Sequence, residues 1–240
     1  MDFKRKRLGF TLTEIMVAMT ILGVIVALTV PGLSRDYTRR EFQTAISKFY
    51  ADMMQVGPLA QVTIGSNNLA NSVLFTDGNF NCTNISANNE GHWPKLFLSS
   101  TCRGANVMGP ANGKTNGFAD KYRSIDGKST MTLTEFNEKF PHSLTYVLDG
   151  GQVICFKRMK YNYNGSQKVY QEIYIDINGS KSPNIAGLDF FKLHMQLSDS
   201  DGDVYEVYSG SKPEADCISH VDATGCFTSV MNNNFKIKYY

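Results

Sequence analysis

Three acidic residues alternate with small residues late in the chain: Asp199, Asp201 and Asp203. Carboxylate oxygens at alternate positions are ligands that calcium takes in proteins. The EF-hand pattern also needs a glycine one place after the third acid and a later glutamate. Val204 stands where that glycine would be, and no glutamate follows at the required distance. The three aspartates are therefore candidate calcium ligands, but a polar hairpin turn is the favoured interpretation.

The sequence lacks the residue patterns of the common catalytic sites. Its four histidines are scattered, and no H-E-x-x-H, G-x-S-x-G, P-loop or G-x-G-x-x-G stretch occurs. The five cysteines likewise avoid the C-x-x-C spacing of zinc and redox sites. We therefore expect a protein that is not an enzyme and that requires no cofactor.

Composition and charge are typical of a globular protein that does not bind nucleic acid. The chain has 240 residues, of which 42% are apolar and 19% charged, so it can bury a core. The net charge of +2 comes from residues 1–9, since the remainder holds 20 basic and 21 acidic residues. A near-neutral body offers little neutralisation of phosphates, so we expect no nucleic-acid partner.

One apolar run is long enough to cross a bilayer. Residues 10–30 are apolar or small apart from Glu14, and as a helix they would extend about 30 Å, the thickness of a hydrocarbon core. The basic residues at 4–7 predict a single span with its N-terminus in the cytoplasm and the body across the membrane. A cleaved secretory signal and a plain anchor are alternatives. The run is too long for a cleaved signal and continues past Pro31. A plain anchor does not explain Gly9 or Glu14, because a lone carboxylate in a span costs about 3 kcal/mol.

The start of this run resembles the processing site of type IV prepilins and type II secretion pseudopilins. The matching residues are Gly9-Phe10-Thr11-Leu12-Thr13-Glu14, behind a basic leader of residues 1–9. The resemblance covers about residues 1–55. It implies cleavage between Gly9 and Phe10 by a prepilin peptidase, which also methylates the new N-terminal Phe10.

Three residues within the apolar run and just after it, Glu14, Gly23 and Pro31, resemble family positions used in assembly. Cleavage creates a cationic amine that the Glu14 carboxylate of a neighbouring subunit could neutralise, which would set the register of assembly. Gly23 and Pro31 weaken the helix, and in the family this stretch can loosen in a filament. The alternatives are a Glu14 side chain that reaches the headgroups and an ordinary kink.

The resemblance implies a structural subunit of a type IV pilus or a type II secretion filament. Its partners would be the prepilin peptidase and methyltransferase, other pilin or pseudopilin subunits, and the inner membrane that holds it before assembly. A minor subunit is one form of this hypothesis. The competing hypotheses are a filament-tip adhesin or DNA-uptake minor pilin with a binding head, and a membrane-anchored domain that never polymerises.

The expected fold is α+β: a helical stem over residues 10–58, packed on a C-terminal antiparallel sheet, as in pilins. Residues 10–30 would form the membrane and assembly segment and 31–58 an amphipathic continuation that ends at Gly57-Pro58. Apolar residues at helical spacing predict its buried face: Phe42, Ala45, Ile46, Phe49, Tyr50, Met53 and Met54. The head would occupy residues 59–240.

Within the head, alternation of apolar and polar residues predicts strands with one buried face. A hairpin is expected around Asp149-Gly150-Gly151. An Asn-rich and Gly-rich insert is expected over residues 63–125, and a short helix over 130–140. The predicted strands are 144–148, 152–157, 170–177, 191–197, 204–208 and, more weakly, 235–239.

Disulfides are expected because the body would lie in an oxidising compartment. Closeness along the chain favours the pairs Cys217–Cys226 and Cys82–Cys102. The first pair resembles the C-terminal disulfide region of many type IV pilins. Cys155 would remain as a buried apolar thiol.

A second candidate calcium site follows from the same resemblance. Asp176-Ile177-Asn178-Gly179, with Asp189 further on, looks like a turn segment found in a number of pilin-like proteins, and some pseudopilins bind calcium in their heads. Oxygens of Asp176, Asn178 and Asp189 could therefore hold calcium. The alternative is an Asn-Gly turn between two strands.

Overall fold

A helix of 53 residues, α1, runs from Leu12 to Ile64 in this computed structural model. The chain forms two units, residues 1–41 and 42–240, so α1 begins in the first unit and ends in the second. The predicted stop at Gly57-Pro58 is wrong. Val56 and Gly57 are buried within the second unit, and this packing holds the helix together although Pro58 lacks the N–H of a helix hydrogen bond. The structure describes residues 9–64, 69, 100–105, 117–132, 134–135, 143–148, 150–163, 165–197, 205–208 and 215–239.

The buried face of α1 in the second unit follows the predicted spacing. Phe42, Ile46, Phe49 and Met53 are buried, whereas Met54 is exposed, contrary to the prediction. Tyr50 lies half-buried at the edge of this face, between two rings of the C-terminal region. An apolar stripe of this kind is how an amphipathic helix attaches to a core.

The described part of the second unit contains one large antiparallel sheet, one small one and two short helices. The elements are β1 (Ser100–Ala105), β2 (Lys121–Arg123), β3 (Thr130–Thr132), β4 (Ser143–Leu148), β5 (Val153–Tyr163), β6 (Ser166–Asp176), β7 (Phe190–Leu197), β8 (Tyr205–Tyr208), α2 (Ala215–Ser219) and α3 (Cys226–Asn232). The large sheet has the order β1-β4-β5-β6-β7-β8, and β2 pairs with β3.

The expected α+β fold is confirmed, with a long N-terminal apolar helix and a C-terminal antiparallel sheet. The predicted hairpin is confirmed, since β4 and β5 pair around residues 149–151. The predicted strands near 170–177, 191–197 and 204–208 are also confirmed, as the consecutive neighbours β6, β7 and β8.

Two local predictions are wrong in whole or in part. Residues 130–132, predicted as the start of a helix, form strand β3, whereas residues 134 and 135 are helical as predicted, and 133 and 136–140 lie outside the described residues. Residues 235–239 do not form a strand, because Asn234 and Phe235 have φ of 52° and 59°. That left-handed conformation is incompatible with an extended chain. Of the predicted insert, residues 65–68, 70–99 and 106–116 lie outside the described residues, and the described part includes β1 and β2.

Strand β6 is buried on both faces, which contradicts the predicted single buried face. Ile173 and Ile175 are buried as expected, but Tyr174 and Asp176 on the opposite face are also fully buried. The segment around β2 covers that second face: the ring of Tyr122 stacks on Phe190, with ring centroids 4.4 Å apart.

Candidate functional site at the start of the first helix

The predicted cleavage point lies just before α1, where the chain makes few contacts with itself. Phe10 is 81% exposed. A Cβ atom added at Gly9 would meet no other atom within 4 Å. The fold of the chain therefore gives no packing reason for glycine at position 9, which suits a residue read by another protein.

Glu14 and Thr11 form a reciprocal cap at the start of α1. The backbone N–H and the hydroxyl of Thr11 both donate to Glu14 Oε2, each at 2.8 Å. The backbone N–H of Glu14 donates back to Thr11 Oγ1 at 3.3 Å. This arrangement is a capping box, in which a threonine and a glutamate three residues on satisfy each other's backbone groups. The role of Thr11 was not predicted, although the pattern Thr-x-x-Glu in the sequence signals it.

Around Glu14 the helix surface is apolar and uncovered. Leu12 is 77% and Leu28 77% exposed, and no residue of the most apolar stretch is buried. A shallow depression beside the carboxylate is lined by Thr13, Val17, Ala18 and Ile21. By length and composition, the part of α1 from Leu12 to Leu59 is able to cross a membrane. A continuous apolar surface of this size is typical of a segment covered by lipid or by another protein.

Comparison with known proteins identifies this segment. The family described as "Prokaryotic N-terminal methylation motif" matches residues 4–30, which contain the Gly9–Phe10 bond and the capped Glu14. Residues 4–30 therefore carry this motif, which supports a relation to the type IV prepilins and pseudopilins. The chain is also similar to the type II secretion system core protein G of Aeromonas hydrophila, with 42% identity over 48 residues. The match covers 20% of this chain and 34% of that relative. No solved structure matches the chain.

The other two predicted assembly residues lie within the uninterrupted helix. Gly23 is exposed, and a Cβ atom there would meet nothing within 4 Å. Pro31 is also exposed and inside α1. Both positions are therefore open to a covering partner, and their part in assembly stays a prediction.

In the second unit, the predicted turn ligands Asp176 and Asp189 are both fully buried. Asp176 accepts hydrogen bonds from the Tyr122 hydroxyl and from the Asn178 backbone N–H. Asp189 accepts from the backbone N–H groups of Asn184 and Ile185, each at 2.7 Å. Burial, aided by the charge of Asp189, raises the pKa of Asp176 to about 8, and burial raises the pKa of Asp189 to about 6.

The turn has oxygen atoms that suit a hard cation. The side-chain oxygens of Asn178 and Asn184 are buried and accept no hydrogen bond. Together with the two aspartates they offer carboxylate and amide oxygens, the ligands that calcium prefers. Among the described residues, however, no group of three or more His, Cys, Asp or Glu side chains is placed to hold a metal. The other three candidates, Asp199, Asp201 and Asp203, lie outside the described residues.

The predicted disulfide between Cys217 and Cys226 is confirmed, and both residues are fully buried. This disulfide packs against the turn that lies between Asp176 and Asp189. Gly187 has a φ of 84°, and a Cβ atom there would lie 2.8 Å from each sulfur. Cys155 is buried in β5 outside any disulfide, as predicted. The proposed pair Cys82–Cys102 falls outside the described side chains.

A second group of polar residues lies on the sheet and was not predicted; in it Lys157 and Glu172 are buried, and Lys192 and His194 are half-buried. Glu172 on β6 is within 3.0 Å of the Lys192 ammonium, 3.7 Å of the Lys157 ammonium and 3.9 Å of the His194 ring. Burial, with a smaller contribution from Lys192, lowers the pKa of His194 to about 4. The histidine is therefore neutral at physiological pH. The cluster joins β5, β6 and β7 across one face, and we assign it to the fold.

Proposed function

We propose that this chain is a prepilin and a structural subunit of a type IV pilus or a type II secretion filament. The observation that carries the proposal is the placement of Glu14: a carboxylate held by Thr11 at the start of an uncovered apolar helix, the fifth residue after the Gly9–Phe10 bond. The family match over residues 4–30 supports the same conclusion. The protein would stay in the inner membrane until it enters the filament.

Cleavage supplies a positive charge that can neutralise the Glu14 carboxylate, which has no such partner in the precursor. Before cleavage the nitrogen of Phe10 is part of a neutral peptide bond. Afterwards it is a cationic amine at the end of an apolar helix. A carboxylate and an ammonium are each costly in lipid, but a pair of them between two subunits removes much of that cost. Because each helix carries one of each group, the pairing would fix the axial offset between neighbouring subunits.

The orientation of the subunit follows from its leader. The basic residues at 4–7 would remain in the cytoplasm, with the peptidase acting at that side of the inner membrane, and the head would lie across the membrane. The partners in this proposal are the peptidase and methyltransferase and other pilin or pseudopilin subunits.

Filaments purified from the native cells test the proposal. We expect the wild-type chain to sediment with sheared filaments and to be seen along them by immunogold imaging. A Gly9→Val variant should stay in the membrane fraction with its leader attached, since the peptidase would not cut it. Gly32→Ala is the matched control, because a Cβ atom at Gly32 also meets nothing within 4 Å and the position lies outside the cleavage site. A wild-type chain found only in the membrane would contradict the proposal.

We further propose that the turn bearing Asp176, Asn178 and Asp189 binds calcium. The buried oxygens of Asn178 and Asn184 that lack hydrogen-bond donors support it. Calcium would hold both carboxylates ionised and tie the turn to the sheet. The full chain in detergent should melt at a higher temperature in calcium than in magnesium or a chelator, and Asp189→Asn should remove the difference. Equal melting temperatures would favour a purely structural turn.

A further inference from the structure

The two carboxylate oxygens of Glu14 have different surroundings. Oε2 accepts both hydrogen bonds from Thr11, each at 2.8 Å. Oε1 accepts none from the described residues, and the Glu14 residue helps to line the depression together with Val17, Ala18 and Ile21. One oxygen is thus held by its own helix while the other remains available.

This asymmetry matters for how a partner would meet the carboxylate. A glutamate side chain has several rotamers, and fixing one of them on binding costs conformational entropy. Two hydrogen bonds from the preceding turn fix the rotamer in advance. They also satisfy one oxygen in a segment where water is excluded and an unsatisfied polar group is costly. The side chain is then prepared for a single further donor.

We propose that Thr11 is the positioning residue for Glu14 in assembly. Its hydroxyl and backbone N–H hold Oε2 and so present Oε1 to the N-terminal amine of a second copy. The inference rests on the proposed function, because it presumes that Glu14 pairs with that amine. It adds that the threonine side chain, and not only the glutamate, sets how readily a subunit enters the filament.

The test compares variants at Thr11 in the full chain, expressed in the native cells. Thr11→Val removes the hydroxyl and keeps the shape. We expect normal cleavage by mass spectrometry of the N-terminus, and about a tenfold loss in the fraction of processed chain that sediments with filaments, as for one hydrogen bond to a charged group. Thr11→Ser should restore the wild-type fraction. Thr20→Val is the matched control, because the Thr20 hydroxyl bonds only the Met16 carbonyl within the same helix, at 2.8 Å.

A Thr11→Gly variant separates positioning from simple helix capping. Glycine caps a helix nearly as well as threonine but has no hydroxyl. Positioning predicts that Thr11→Gly loses incorporation as Thr11→Val does, whereas simple capping predicts a wild-type fraction and would overturn the inference. Normal incorporation of Thr11→Val would also overturn it.

A Glu14→Gln variant shows which proposal has failed. If Glu14→Gln is excluded from filaments while Thr11→Val enters normally, the pairing stands and only the role of Thr11 is wrong. If both enter normally, the pairing itself is wrong. A carbon-13 label in the Glu14 carboxyl group provides a second readout, and its chemical shift in micelles should move in Thr11→Val and not in Thr20→Val.

Discussion

The first turns of α1 and the large sheet distribute polar and apolar groups in opposite ways. From Leu12 to Leu33 the large apolar side chains are exposed, and a single carboxylate is held by one threonine. In the sheet, charged side chains such as Glu172 and Lys157 are buried under 8% exposure within a continuous core. The first region is complete only when another molecule covers it. In the second region the buried charged groups pair with one another. We therefore expect the contacts of the proposed assembly to lie near the N-terminus.

The largest expected effect comes from Glu14→Ala. This change should abolish incorporation into filaments and leave cleavage after Gly9 and the stability of the head unchanged, because among the described residues the hydrogen bonds of the Glu14 side chain go only to Thr11. Filament sedimentation, N-terminal mass spectrometry and thermal melting measure the three properties in one preparation. Normal incorporation would remove the distinction between the two regions, since the helix would then assemble through its apolar surface alone.

The reciprocal change is the loss of the disulfide in the head. Replacing Cys217 and Cys226 by serine should lower the free energy of unfolding by about 3 kcal/mol, mainly because the unfolded chain is no longer cross-linked. Cleavage after Gly9 should be unaffected. Chemical denaturation of the detergent-solubilised chain measures the change, and wild-type protein under reductant should reproduce it. An unchanged denaturation midpoint would show that the buried disulfide adds nothing to the stability of the head.

A smaller effect is expected at Gly187, where the turn approaches both sulfurs. Gly187→Ala should cost about 2 kcal/mol, since it combines an unfavourable positive φ with a Cβ atom 2.8 Å from each sulfur. Gly165→Ala is the control, because Gly165 has a φ of 78° and open space around it. Denaturation measures the loss of stability in each variant. The amount by which the loss at Gly187 exceeds the loss at Gly165 is the contribution of the contact with the disulfide. Equal losses at the two positions would argue against that contact.

The last prediction concerns how the stability of the sheet depends on pH, through the polar cluster around Glu172. The pKa of His194 is lowered to about 4, mainly by burial, whereas an unfolded histidine titrates near 6.5. In that interval the unfolded chain binds the extra proton, so stability contributed by this residue falls as the pH falls from about 6.5 to about 4, by at most about 1.4 kcal/mol per pH unit. His194→Gln should lose less stability over this range than wild type. Parallel curves for the two proteins would contradict the lowered pKa of His194.

The sequence was most informative where structure depends on neighbours along the chain. The methylation motif that contains Gly9, Phe10 and Glu14 lies within one short segment, where cleavage stays a prediction, and the buried face of α1 follows from helical spacing. The hairpin at residues 149–151 was likewise signalled locally. The capping role of Thr11 could have been predicted too, because its signature with Glu14 is contained in four residues.

Prediction failed where distant parts of the chain decide the outcome. The second face of β6 is buried because Tyr122, more than fifty positions away along the chain, covers Asp176, and alternation within the strand carries no sign of this. The helix continues through Pro58 because its neighbours are packed in the core. The pairing of Glu172 with Lys157 and Lys192 depends on strand register, which separate strand patterns do not specify.

The N-terminus of the protein isolated from its own cells tests the central claim most directly. Intact-mass and peptide mass spectrometry should find a chain that begins at Phe10 and carries one methyl group on its amine. Protein that retains residues 1–9 in cells with an active prepilin peptidase would contradict the account, because Glu14 would then have no amine from a neighbouring subunit to neutralise.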